Sequence, residues 1–129
     1  MKKITKHWLE FAKKDLQNAK ILFRNRAYEG SVWHCHQALE KYLKGFVVEQ
    51  GIPIRKTHDL PTLLNDTKLK FSKEILSLAH ELNAYYQPSR YPDTAIINKV
   101  RFTRVTTNRL LKLTETTIKW LHFQLGQKK

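Results

Sequence analysis

The stretch His34-Cys35-His36-Gln37-Ala38-Leu39-Glu40-Lys41-Tyr42-Leu43-Lys44, continued by Gly45 and Phe46, decides the fold. Wound as a helix at about 100° per residue, it separates into two faces. Ala38, Tyr42, Cys35, Phe46, Leu39 and Leu43 share an arc of roughly 140°, while Glu40, Lys44, Gln37, Lys41 and His34 share another of roughly 120°. The first arc is a core face. The second is a polar stripe with two ammonium groups, an amide, an imidazole and a carboxylate, a set able to hold a phosphate and a base edge. The same stripe also describes an ordinary wet face with helical ion pairs such as Glu40–Lys44, worth about 0.2–0.5 kcal/mol. Cys35 lies on the apolar arc and reads as a small buried hydrophobe rather than a nucleophile. His34 and His36 would point about 160° apart, so they are not a metal pair, and no metal or cofactor is expected.

Outward from this helix, which should begin near Glu29 and end before Gly51, the chain keeps a helical period. Trp8, Phe11, Ala12, Leu16, Ala19 and Phe23 recur at three- and four-residue steps and predict a first helix over 5–24. Gly51 suits the position after the second helix, and Pro53 blocks its continuation. Residues 51–59 read as a loop, and Pro61 opens a short third helix reaching about Thr67. Ser72 is placed to cap a fourth helix carrying Ile75, Leu78, Ala79 and Leu82. Pro88 and Pro92 bracket a loop, after which Asp93 or Thr94 would cap a long last helix to about Gln124, with Ile97, Val100, Leu111, Ile118, Leu121 and Leu125 on its buried side. No period-2 run, repeat or linker interrupts this order. The expected architecture is all-α: one domain over 1–129, an antiparallel four-helix up-and-down bundle with a short extra helix.

The 129 residues carry a formal net charge of +13, one Cys, four Gly and four Pro. A single Cys excludes an internal disulfide and a multi-cysteine zinc site. No apolar run is long enough to span a membrane, and no signal peptide is recognisable, which makes the cytoplasm the expected compartment. The charge is uneven. Residues 1–26 hold eight Lys/Arg against two Asp/Glu, residues 99–129 hold eight against one, and residues 27–98 balance at eight against eight. Such basic ends favour acidic partners (nucleic acid, nucleotide or an acidic protein), and they are equally the mark of a solubilising surface. Aromatics beside basic residues, Arg101-Phe102 and Lys119-Trp120, would stack on single-stranded bases if exposed, though at helical spacing such rings more often face a core.

Two further signatures follow the central one: Thr57-His58-Asp59-Leu60 with Leu63-Leu64, and Ser89-Arg90-Tyr91-Pro92-Asp93. With Gln37-Ala38-Leu39-Glu40-Lys41-Tyr42-Leu43-Lys44 and the spacing Ala12-x-x-Asp15-Leu16-x-x-Ala19, they resemble, in order, the motifs of the HEPN domain family over about residues 10–95. The resemblance implies a helical bundle, usually a homodimer, paired with a minimal nucleotidyltransferase, often as a toxin–antitoxin couple. Some members bind nucleotides, and others are metal-independent ribonucleases carrying R-x(4–6)-H. None of the six histidines here (His7, His34, His36, His58, His80, His122) has an Arg five to seven positions upstream. No RNA cleavage and no catalytic residue are therefore expected. The expected function is a nucleotide-binding partner module, the alternative being a HEPN ribonuclease toxin acting on RNA, which would be gripped non-specifically by the basic flanks. A third reading is a helical scaffold that holds an acidic protein.

The candidate nucleotide- or phosphate-binding residues are His34, Gln37, Glu40, Lys41, Lys44, His58, Arg90 and Tyr91, with an ATP-like ligand in view. Arg90 offers a bidentate clamp and Tyr91 a stacking ring and hydroxyl. Asp93 suits an N-cap better than a catalytic acid. His58 and Asp59 either orient one another or fasten their loop, with the structural role favoured for Asp59. No nucleophile signature accompanies them.

Overall fold

A computed structural model describes residues 1–86 and 102–127. Its described helices are α1 (Lys3–Arg24), α2 (Tyr28–Glu49), α3 (Leu60–Asp66), α4 (Lys73–Tyr86) and α5 (Arg104–Gln127). No strand is present among the described residues. The four long helices make the bundle and α3 is the short extra one, as the periodicity predicts.

Local chemistry sets the boundaries. After α2, Gly51 takes φ +79°, where a side chain would be strained. Its N–H donates to Val48 and that of Ile52 to Val47, at 3.1 and 3.0 Å, closing the helix in a Schellman turn. After α1 the same turn is made without glycine: Arg26 sits at φ 63°, and the Ala27 N–H reaches the Leu22 carbonyl at 2.8 Å. Asp59 caps α3 by accepting from the Thr62 N–H at 3.0 Å, with Pro61 in the first turn. Ser72 caps α4 through the Ile75 N–H at 3.2 Å. Thr103 does the same for α5 through the Thr106 N–H at 3.1 Å.

Two expectations need correction. Phe102 and Thr103 are not helical, so α5 starts at Arg104 under a Thr103 cap rather than as one helix from Asp93 or Thr94. Ile97 and Val100 lie outside the described residues. Phe11 is not on the buried side of α1: it is 54% exposed, and the buried stripe is Thr5, Ala12, Asp15 and Ala19. The period located the stripe but not its centre, because Asp15 is drawn inward by partners on α2.

Among the described helices α2 is central and packs against each of the other four. Its apolar arc lies as expected: Cys35, Ala38, Leu39, Leu43 and Phe46 are fully buried and Tyr42 nearly so. They meet Leu60, Leu63 and Leu64 from α3, Leu78 and Leu82 from α4, and Leu110 and Leu121 from α5. Each such aliphatic or aromatic side chain contributes about 1.5–3 kcal/mol by leaving water. Gly45 allows the close approach of α1, since a Cβ there would stand 2.9 Å from Leu9 Cδ2 and 3.0 Å from Trp8 Cβ. That approach decides what happens to the polar stripe.

Candidate functional site

A helix packed against by four others buries much of its polar face, and buried polar groups require partners. The polar stripe of α2 is accordingly not a wet face. α1 lies over it, with Lys41 5.9 Å from the Phe11 ring centroid and Lys44 5.8 Å from that of Trp8. The stripe resolves into two ionic clusters.

The first is built on Asp15 of α1. Its Oδ1 pairs with His34 Nδ1 at 2.8 Å and its Oδ2 accepts from Lys41 Nζ at 2.6 Å. Burial alone would push the Asp15 carboxyl up, but the His34 and Lys41 hydrogen bonds and the Lys41 charge outweigh it and hold the group below its ordinary value.

The second is built on Glu40, which is 4% exposed. Lys44, one turn along and 7% exposed, donates to Oε2 at 2.8 Å. His58, from the loop before α3, brings Nδ1 to 3.0 and 3.1 Å from the two carboxylate oxygens. His36 Nδ1 stands 3.7 Å from Oε1. Its other nitrogen faces Asn83 Oδ1 at 3.3 Å, while the Asn83 amide donates to Asp59 Oδ1 at 2.7 Å. With the amide so oriented, Oδ1 is an acceptor, and the His36 proton belongs on Nε2. Burial keeps His36 neutral by pulling its pKa below the usual imidazole value, against the charge of Glu40. Asn83 Oδ1 also accepts from the Leu60 N–H at 3.0 Å, so one α4 amide fastens α2, the Asp59 cap and α3 together.

This cluster reaches the surface at one point. The His58 side chain is 62% exposed and its ring stacks on Tyr86, with centroids 5.5 Å apart and planes 24° apart. On its inner side Tyr86 lies 4.2 Å from the His36 ring.

Of the sequence-predicted residues, Glu40, Lys44 and His58 are brought together, and His34 and Lys41 form the other cluster. Gln37 makes no ion pair in either cluster, but its side chain lies beside His36 and favours that ring's charged form. Arg90 and Tyr91, like Asp93, lie outside the described residues. Asp59 has the structural role: it serves α3 and Asn83 rather than His58. His36, Asn83 and Tyr86 complete the site and were not among the predicted residues. A histidine on the boundary between the two arcs of α2 was the available signal for His36, whereas nothing local marks Asn83. Cys35 is fully buried, and burial pushes its thiol up to about 12, which leaves no thiolate for chemistry. Among the described residues no group of three or more His, Cys, Asp or Glu is arranged to hold a metal ion, and no helix is long and apolar enough to cross a membrane.

Comparison with known proteins agrees with the helical fold. The HEPN domain family matches residues 5–124. Among solved structures the chain is similar to TT1696 from Thermus thermophilus, at 26% identity over 92% of this chain and 95% of that one, with a TM-score of 0.80. It is also similar to ST0689, an archaeal HEPN homologue, at 26% identity over 97% and 99% of the two chains, with a TM-score of 0.75. No curated protein matches.

Proposed function

Since this chain belongs to the HEPN domain family, we propose that it is a non-catalytic, nucleotide-binding module that dimerises and pairs with a minimal nucleotidyltransferase, as part of a toxin–antitoxin type system in the cytoplasm. The observation that carries the reading is the exposed His58 ring, stacked on Tyr86 and backed by the buried Glu40 carboxylate. A carboxylate behind an imidazole fixes the proton on the near nitrogen and leaves the far one for a ligand. The stacked pair adds an aromatic surface suited to a base. In the sequence, Arg90 and Tyr91 follow Tyr86 by four and five residues, and we assign them to the same ligand as its phosphate clamp and second ring. Lys41 and Lys44 act behind this surface: their charges are already answered by Asp15 and Glu40, so they hold the site rather than touch the nucleotide.

Calorimetric titration with ATP and with inorganic triphosphate, at near-physiological salt, tests the reading. ATP should bind about tenfold or more tightly than triphosphate. His58→Ala and Arg90→Ala should each weaken ATP by a similar factor without changing the helical circular dichroism. Equal binding of both ligands would reduce the site to a basic surface. Binding of neither would leave the partner-protein role alone, and unchanged affinity in the two variants would remove the assignment to this cluster. Structured and single-stranded RNA should both survive excess protein.

A further inference from the structure

A cavity of about 500 Å³ opens at the corner where α1, α2 and α5 meet, and none of the Glu40 cluster lines it. Its apolar walls are Leu9 and Leu16 of α1 and Ile118 of α5, with Tyr42 of α2 and His122 of α5 supplying the polar atoms. The Tyr42 hydroxyl lies 3.1 Å from His122 Nδ1, and burial pushes its pKa up to about 12, so it stays a neutral hydroxyl across the physiological range. Lys13 and Lys119 line the same cavity against a single acid, Glu10. Glu115, one turn before Lys119, pairs with Lys20 and also feels the Lys119 charge, but it does not line the cavity. The volume is that of a small-molecule site, which typically spans about 300–1,000 Å³ and is mostly apolar with a few polar groups.

We propose that this three-helix corner binds a small amphiphilic carboxylate, its apolar body against Leu9, Leu16 and Ile118 and its anionic end between Lys13 and Lys119. The chemistry selects the class. An apolar body gains from burial on the aliphatic walls. A single negative charge is matched by two ammonium groups that outnumber Glu10, and the Tyr42–His122 pair offers hydrogen bonding within the same cavity. A cation of the same shape would meet two lysines, and a neutral alcohol would lack the charge contact. The site is separate from the proposed nucleotide surface, and neither reading depends on the other.

Octanoate, octanol and octylamine titrated into the full chain, followed by calorimetry and by amide shifts in a 15N-labelled sample, decide it. Octanoate should saturate one site, shifting amides of α1 and α5 around Leu16 and Ile118, and octanol should bind about tenfold more weakly. Octylamine should not bind. The double variant Lys13→Ala/Lys119→Ala changes only exposed side chains and should lose about tenfold for octanoate with an unchanged melting temperature. Equal affinity for octanoate and octanol would overturn the proposal, as would full affinity in the double variant. So would an octanoate effect spread over the whole chain, or sedimentation showing that Ile118→Glu abolishes self-association, which would make the corner an interface between copies.

Discussion

Asp15 and Glu40 are both buried carboxylates, each holds a lysine and a histidine, and both serve the same stripe of α2, yet they do different work. Asp15 comes from α1, and its partners keep partial access to water, with side chains 26% exposed for Lys41 and 21% for His34. Its pairing is a clasp between two helices. Glu40 lies on α2 itself, its lysine is nearly as buried as it is, and its second histidine is sealed inside. Only His58 carries that cluster outward. Two clusters built from the same residue types thus differ in which groups water can rescue, and that difference decides cost, titration and availability to a ligand.

The largest test is Glu40→Gln. It keeps the volume but leaves the buried Lys44 ammonium without a counter-charge, and removing one member of a buried pair costs about 3–5 kcal/mol. Urea denaturation at pH 7 should show a loss at the low end of that range, since His58 is exposed. A loss under about 1 kcal/mol would mean that Lys44 escapes to water and that the clusters are alike. Asp15→Asn should cost less, about 1–2 kcal/mol, because Lys41 and His34 can rehydrate in place.

Acid should separate the two clusters in pH. His36 is held below its ordinary 6.5 in the fold, so the unfolded chain takes up the proton first. Its contribution is present above pH 6.5 and is lost as pH falls below it. Asp15 is held below 3.8, so its contribution is present above that value and is lost only as pH falls through the lower folded value. Thermal melts of the native chain should therefore show one decline below pH 6.5, reduced in His36→Asn, and another below about pH 4, reduced in Asp15→Asn. A decline below pH 6.5 that His36→Asn leaves unchanged would break the assignment.

The smallest effect belongs to a third pair, Glu81 with Arg109, which joins α4 to α5 through two hydrogen bonds of 2.9 and 2.6 Å on the surface. Glu81→Gln should cost at most about 1 kcal/mol and lose significance in high salt. A cost matching that of Glu40→Gln would show that charge pairing, rather than burial, sets the scale.

Much of this was legible in the residues. The apolar arc of α2 and the cap at Ser72 depend on neighbours within a few positions, so period and residue type suffice to find them. The start of α5 was not, because Asp93, Thr94 and Thr103 are all competent caps by type. Glu40, Lys44 and His58 were named as candidates from their motifs. Their grouping apart from Lys41 and His34 was not visible, since it depends on which helix supplies each counter-charge.

By itself the sequence determined that the chain is a helical bundle, that residues 34–46 present one apolar and one polar face, and that the charge excess sits at the two ends. Tertiary structure alone decided that the polar face is covered. Glycine at position 45 lets α1 close over α2, and a polar group taken out of water must find its partner wherever the fold provides one. For Lys41 that was Asp15 on another helix, for Lys44 a neighbour one turn away, and for His36 an amide on α4 that no spacing along the chain announces.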